Sequence, residues 1–475
     1  MGKISMKQAM LINATGKYIK ILLSIVVNAI LARILSPDDY GVVAVITVFS
    51  VFFATFSDMG FGPAIIQKKD LSKEDIDNIF SFTVYVSFCL MVIFAVLSFP
   101  IAVFYADRVY IGLGQMLSVS LLFNALNMVP NGILNRDKRF VGIAVRTVIV
   151  YLLSAVITII LAYMGLRYYA LAIQAILTAV FQFAWNYFTT RPRFCFRFGM
   201  NSIQKVLNYS GYQFAFNIVN YFSRNLDSLL TGKFMGNAEL GYYNKAYTLM
   251  LYPVNNLAGV VSPVLHPLFS DYQEQINIIY KKYVRIIHFL GCIGIYVSSV
   301  CFLGATEIIN ILYGSSWQES VKCFQFLSIA IIPQMINSSA GSIFQAIGNT
   351  KLLFMNSCIN TCITIIAILI GVFAGKTIVV LSMCVAVAYS CHFVTAFFML
   401  IKYGFKYRFI DFIKELLPEI FILNIMIIGV YVYPLYINGS FLSLIVKCIY
   451  LGVIYSVCLL VTKQYKLFVF LIRKK

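Results

Sequence analysis

Residues 211–233, GYQFAFNIVNYFSRNLDSLLTGK, decide the fold. As a helix the run is long and apolar enough to cross a bilayer, which takes roughly 20 residues. Yet Gln213, Asn217, Asn220, Arg224, Asp227 and Thr231 recur within it at alternating steps of four and three. At about 100° per residue, the six fall within an arc of roughly 80° on one face. A charge at mid-bilayer costs roughly 2.5–3.5 kcal/mol even on the mild insertion scale, so that face needs a partner or water. Two readings compete: an Arg224–Asp227 pair bridging neighbouring helices, and a polar stripe lining a translocation path.

A weak echo upstream favours the second. Asn13, Lys17, Lys20, Ser24 and Asn28 also share one face of an apolar helix. Four of these positions, shifted by 200, are Gln213, Asn217, Asn220 and Arg224. The following segments align at the same offset, ARILSPDDYGVV (32–43) against GKFMGNAELGYY (232–243), so that Arg33 matches Lys233, Asp39 matches Glu239 and Gly41 matches Gly241. The chain reads as two homologous halves.

Composition agrees with a lipid environment. Of 475 residues 61% are hydrophobic and 12% charged, with mean hydropathy +0.86; a soluble chain is about 45–50% apolar and 25% charged. Apolar runs of spanning length fall at 11–34, 40–66, 79–105, 110–134, 142–165, 168–190, 209–231, 239–269, 286–313, 320–346, 352–374, 378–401, 416–435 and 440–462, predicting fourteen helices. Pro253, Pro263, Pro333 and Gly341 should kink theirs. No small-residue cleavage site follows MGKISMKQAM, so the first span is expected to be its own signal anchor. Twenty-five loop lysines and arginines lie on one side against four on the other, which puts both termini in the cytoplasm. The net charge of +19 then reports mainly topology and suits anionic inner-leaflet lipids. It does not imply nucleic acid, since no basic domain or stacking platform accompanies it.

The fold class expected is therefore all-α integral membrane: two six-helix lobes in parallel repeat around a central cavity, plus two extra C-terminal helices. Residues 1–190 form the N-terminal lobe, 191–208 a basic cytoplasmic linker, 209–401 the C-terminal lobe, and 402–475 the last two helices and tail. The eleven cysteines lie almost entirely in apolar runs without a metal-binding spacing, His266, His288 and His392 read as packing residues, and no cofactor is implied. No phosphate loop, long outer loop or acid–base constellation is present, which speaks against ATP hydrolysis and against an enzyme.

Cations outnumber acids within the spans, so they cannot all be paired. Lys17 and Lys20 lie in the inner half of the first helix and Arg224 towards the outer half of the seventh. Two cationic stations at different depths suit an anionic group, and phosphate most of all. The alternative for Lys17 and Lys20 is snorkelling towards lipid phosphates. Asn217, Asn220 and Asp227 share the stripe with Arg224. Lys245, like Arg146 and Asp58, is open between a cavity role and an inter-helix bond. Arg33 and Lys233 are expected to cap the outer ends of their own helices.

The segments ILARILSPDDYGVVAVITVFSVFFATFSDMGFGPAIIQKKDLSKEDI (30–76), NYFSRNLDSLLTGKFMGNAELGYYNKAY (220–247), VVSPVLHPLFSDYQ (260–273) and ILYGSSWQESVKCFQFLSIA (311–330) resemble, in this order, bacterial polysaccharide-biosynthesis flippases of the Wzx type. That family belongs to the multidrug/oligosaccharidyl-lipid/polysaccharide exporter superfamily. The resemblance implies alternating access and an undecaprenyl-diphosphate-linked oligosaccharide moved to the outer leaflet of the bacterial inner membrane. The diphosphate would be held by cavity cations, which by position are Lys17, Lys20 and Arg224. A polysaccharide polymerase and its chain-length machinery count as further candidate partners. Two other functions compete: a cation-coupled drug exporter on the same fold, which would want acidic rather than basic cavity groups, and a membrane polymerase or acyltransferase, which generally needs a large outer loop or catalytic histidine.

Overall fold

A computed structural model of the chain describes residues 6–58, 62, 65, 71–196, 199, 221, 225–259, 265, 268–270, 272–273, 275–433 and 440–467, without the side chains of 6–14, 57 and 58. Nearly all of it is helical, and two compact units divide it, residues 1–241 and 242–475.

The first unit begins with α1 (Met6–Ile34), α2 (Pro37–Asp58) and α3 (Lys73–Tyr105). There follow α4 (Val109–Leu126), α5 (Met128–Arg136), α6 (Phe140–Tyr163) and α7 (Tyr168–Thr190). A helix over 225–234, α8, and the start of α9 (Asn237–Pro253) complete it. At 33 residues α3 runs for about 50 Å, well beyond the roughly 30 Å of hydrocarbon. Its start carries polar anchors accordingly. Ser72 and Asp75 form a reciprocal capping box, while Asp77 accepts from the Arg193 N–H at 2.8 Å and Ser81 Oγ from the Cys195 N–H at 2.8 Å. The stretch after Thr190 is thus tied along α3.

Two apolar clusters hold this unit. Val27, Leu31 and Leu35 from α1 and its end meet Ala155, Ala162 and Ala170 of α6 and α7. Ile79 and Phe80 of α3 meet Val129 of α5, with Phe183 and Tyr187 of α7 alongside. Small residues set the closest approaches, as membrane bundles require: a Cβ on Gly114 of α4 would lie 2.4 Å from that of Ser98 on α3.

The repeat seen in the sequence appears as geometry at one crossing. A Cβ on Gly41 would stand 1.7 Å from the carbonyl oxygen of Asn237, and one on Gly241 would stand 2.0 Å from that of Pro37. Both partners, like both glycines, are 200 residues apart. The first turn of α2 and the first turn of α9 therefore cross through reciprocal glycine notches, as a local two-fold axis demands.

The second unit holds the rest of α9, α10 (Ile276–Leu303), α11 (Ala305–Leu312), α12 (Glu319–Ile329), α13 (Ile331–Asn337) and α14 (Ala340–Ala346). It continues with α15 (Thr350–Leu369), α16 (Ile378–Met399), α17 (Phe409–Glu415), α18 (Leu417–Val432) and α19 (Ser440–Val461). Single π-helical turns extend α9, α15 and α16, the first of them directly after Pro253. Two spans are broken: the chain bends by 45° between Ile329 and Ile331, and by 54° between Glu415 and Leu417. Proline accounts for both: Pro333 and Pro418 sit in the first turn after each break and, lacking an N–H, cannot bond back to the carbonyl four residues earlier, that of Ile329 or of Lys414. Cys292 and Ile295 of α10 pack with Ile422 and Met426 of α18 and with Leu451 and Cys458 of α19.

Among the described residues nine helices are long and apolar enough to span a membrane, eleven with the two bent pairs. These eleven overlap eleven of the fourteen expected segments, but the span expected at 286–313 is Ile276–Leu303, which ends at Gly304 ten residues early, with Ala305–Leu312 a separate short helix. The other three, 11–34, 209–231 and 239–269, each run into residues or side chains outside the described set.

Crowding at the crossing predicts that Gly41→Ala and Gly241→Ala each cost about 1–3 kcal/mol of stability by overpacking. Gly142→Ala, where nothing lies within 4 Å, should be neutral or slightly stabilising. Thermal unfolding of the purified variants in detergent checks this ordering.

Candidate functional site

Helix α1 presents three faces. Gly16, Val27 and Leu31 form the packed one, with a Cβ on Gly16 placed 2.7 Å from that of Ala144 on α6. Ile19, Leu22, Val26 and Ile30 form an exposed apolar one. Lys17, Lys20, Ser24 and Asn28 form the polar one, and at about 100° per residue its centre lies almost opposite the exposed apolar face. If the apolar face meets lipid, the lysines point away from it. Both are exposed, and among the described residues no acid lies within ion-pair reach of either. Lower down the stripe, Ser24 Oγ donates to the Ile21 carbonyl at 2.7 Å and Asn28 Nδ2 to the Ser24 carbonyl at 2.8 Å.

Of the repeat-related stripe, Gln213, Asn217, Asn220 and Arg224 lie outside the described residues. Asp227 and Thr231, on α8, are described and buried. The Asp227 carboxylate accepts from the Ser228 N–H at 2.7 Å. Nearby, the Tyr105 hydroxyl donates to the Leu229 carbonyl at 3.1 Å, fastening α8 to the end of α3. Lys233 caps another helix than expected: its ammonium bonds the Phe104 carbonyl near the C-terminus of α3, over the Phe104 ring. This is the favourable end of a helix dipole for a cation.

Lys245 is placed in an aromatic box. Only 7% exposed, its ammonium lies 5.0 Å from the ring centre of Tyr313 and 5.7 Å from that of Trp317, with Tyr242 edge-on to the indole. Cation–π attraction of up to about 2 kcal/mol offsets part of its desolvation. Tyr243 stacks with Tyr247, whose hydroxyl meets that of Tyr389 at 2.5 Å, so these tyrosines are occupied in packing.

Arg146, left open by the sequence, is an inter-helix bond. It is 5% exposed and bonds Asn186 of α7, Asn131 of α5 at 3.4 Å and Thr147 at 3.5 Å; Asn186 in turn donates to Asn127 at 2.6 Å. Asn131 of α5 and Asn186 of α7 hold the guanidinium while Asn127 holds Asn186, and spacing along one helix gives no sign of that. His288 of α10, read from the sequence as a packing residue, is half-buried and contacts buried Glu419 of α18 at 2.8 Å, a partner the sequence did not show. The described residues hold no cluster of three metal-ligating side chains.

The fold defines a multi-pass helical membrane protein. Residues 30–322, well over half the chain, match the family described as "Polysaccharide biosynthesis protein", and the chain belongs to that family. Among its relatives is the teichuronic acid biosynthesis protein TuaB of Bacillus subtilis, 23% identical over 335 residues, which are 70% of this chain and 69% of that one. The lipopolysaccharide biosynthesis protein WzxC of Escherichia coli is 23% identical over 370 residues, 76% of this chain and 73% of that one. Among solved structures, the lipid II flippase MurJ in an inward closed conformation superposes with a TM-score of 0.73 at 16% identity, covering 94% of this chain and 98% of MurJ. An inward-facing multidrug transporter of the MATE family gives 0.64 at 15% identity, over 83% and 96%. At such identities the likeness concerns the fold.

In a variant freed of its eleven native cysteines, Lys17→Cys and Lys20→Cys should react rapidly with a membrane-impermeant maleimide, whereas Leu22→Cys and Val26→Cys should react slowly. Labelling rates in inverted vesicles check this.

Proposed function

We propose that the protein is a flippase for an undecaprenyl-diphosphate-linked oligosaccharide, working in the bacterial inner membrane with both termini in the cytoplasm. One observation carries the reading: Lys17 and Lys20 are exposed, have no acid beside them among the described residues, and point away from the apolar surface of α1. Ammonium groups left unneutralised in the inner half of a span are stable only in contact with water or an anion. A diphosphate supplies the anion. Its charged oxygens accept hydrogen bonds from lysine and exchange hydration for charge-assisted contacts.

In this reading the diphosphate is taken up from the cytoplasmic side at Lys17 and Lys20. It passes to the stripe carried by Asn217, Asn220, Arg224 and Asp227 and leaves towards the outer leaflet, while the polyprenyl tail stays in lipid. The path opens to one side at a time. Buried in its aromatic box, Lys245 serves the site from a distance, holding the start of α9 in register. Relatives named for polysaccharide biosynthesis, the succinoglycan biosynthesis transport protein ExoT of Rhizobium meliloti among them, support the cargo class. Inner-leaflet anionic lipids are expected to contact the basic cytoplasmic loops, and a polymerase would receive the exported unit.

Deletion should abolish the surface polysaccharide and accumulate a lipid-linked intermediate several-fold, detectable by mass spectrometry of the lipid extract. Lys17→Ala/Lys20→Ala should lower surface polysaccharide by about tenfold or more, equivalent to about 1.4 kcal/mol or more. Wild-type glycan in both strains would reject the reading.

A further inference from the structure

Helices α15 and α16 lie against each other in the second unit, and one end of the pair is not filled. A groove of about 490 Å³ opens there between Leu352, Met355 and Ile359 of α15 and Phe398 and Tyr403 at the end of α16. Met355, Ile359, Phe398 and Tyr403 are exposed along it. From Leu352 to Ile359 it runs for about 10 Å, within the roughly 15 Å of hydrocarbon that one leaflet supplies.

A change of helix type makes the α16 wall. Phe398 and Tyr403 are five residues apart, which in an α-helix turns them about 140° from each other. The π-helical turn Leu400–Gly404, where the Phe405 N–H donates to the Leu400 carbonyl at 2.8 Å, brings residues five apart onto one side. Their ring centroids are accordingly 6.1 Å apart, edge to face. Lys402 folds over both rings, its ammonium 5.1 Å from the centre of Phe398 and 5.4 Å from that of Tyr403. Cation–π attraction holds the ammonium at the mouth of the groove and leaves its three N–H donors for an anion. Lys351 precedes Leu352 at the same end and is exposed, as Lys402 is. Among the described residues neither lysine pairs with an acid. The acids next along the chain are engaged elsewhere, Asp411 with Lys414 at 3.9 Å and Glu415 with Tyr280.

We propose that this groove binds one anionic diacyl phospholipid of the cytoplasmic leaflet, with its phosphate held by Lys351 and Lys402 and an acyl chain laid along Met355 and Ile359. The choice of leaflet rests on the proposed orientation, with both termini in the cytoplasm, and on nothing about the cargo. Charge and shape select the same occupant. The mouth is cationic and the bed apolar, in the order in which a phospholipid presents phosphate and chain, and the cytoplasmic leaflet is the anionic one. A neighbouring helix would use contact along the full span of roughly 30 Å and small residues at the crossing. This groove ends after about 10 Å and is walled by Leu, Met, Ile, Phe and Tyr side chains.

Native mass spectrometry of the purified full-length protein, titrated in detergent with phosphatidylglycerol, phosphatidylethanolamine or undecaprenyl phosphate, tests this. One copy of phosphatidylglycerol should be retained per chain, several-fold more tightly than either of the others. Lys351→Gln/Lys402→Gln should weaken that retention about tenfold or more, and Lys351→Arg/Lys402→Arg should keep it. Met355→Trp or Ile359→Trp, which fill the groove and leave both lysines, should weaken it as well. Lys463→Gln/Lys466→Gln removes two exposed charges outside the groove and should change nothing. Unfolding temperatures without lipid should be alike in all the variants. Equal loss in the Lys463/Lys466 pair, undiminished retention in both tryptophan variants, or tighter retention of undecaprenyl phosphate would each overturn the proposal. None of these readouts measures glycan export, so their failure leaves the flippase reading standing, and failure of the deletion phenotype leaves the lipid site standing.

Discussion

A charge carried into hydrocarbon must be met by a counter-charge, a dipole, a π face or water, and this requirement governs how the chain is put together. Each solution is present. Lys447 meets Glu307 at 2.6 Å. Arg146 is met by asparagine amides, Lys245 by aromatic faces and Lys233 by the carbonyl end of α3. Helix breaks, caps and small-residue contacts are placed where they allow these meetings. Once they are counted, Lys17 and Lys20 stand out because nothing in the described protein neutralises them. They are the residues proposed to meet the cargo.

Glycine gives the second organising contact. Where α2 and the start of α9 cross, the backbones approach so closely that only hydrogen fits at Gly41 and Gly241. Reciprocal pairing with Asn237 and Pro37 turns a sparse sequence echo into geometry.

Much of this was legible in the sequence because spans and stripes are one-dimensional signals. The apolar runs mark eleven segments that the described helices overlap, one of them displaced by ten residues to Ile276–Leu303, and the α1 stripe of Lys17, Lys20, Ser24 and Asn28 keeps its face. The offset between Gly41 and Gly241 was readable for the same reason. What escaped was tertiary. Arg146 is held by Asn131 and Asn186, 15 and 40 residues away along the chain, and the partner of His288 lies 131 residues away. One signal was available: acids are so scarce in the spans that Glu419 had to find a polar partner, and His288 was among the few candidates. Lys233 was assigned to its own helix because sequence shows which helix a residue belongs to, and not which helix end it reaches. The breaks before Pro333 and Pro418 were half legible, since proline marks a kink but not its angle.

The central claim is that the basic stripe carries a diphosphate-linked glycan across the membrane. Purified protein in liposomes loaded with a fluorescent polyprenyl-diphosphate oligosaccharide measures it directly, through the fraction quenched by an impermeant reductant added outside. Protein-containing vesicles should lose nearly all their fluorescence, against about half for protein-free vesicles or for Lys17→Ala/Lys20→Ala, because only cargo that changes leaflet becomes accessible. Quenching that stops at the same level with and without the wild-type protein would contradict the account.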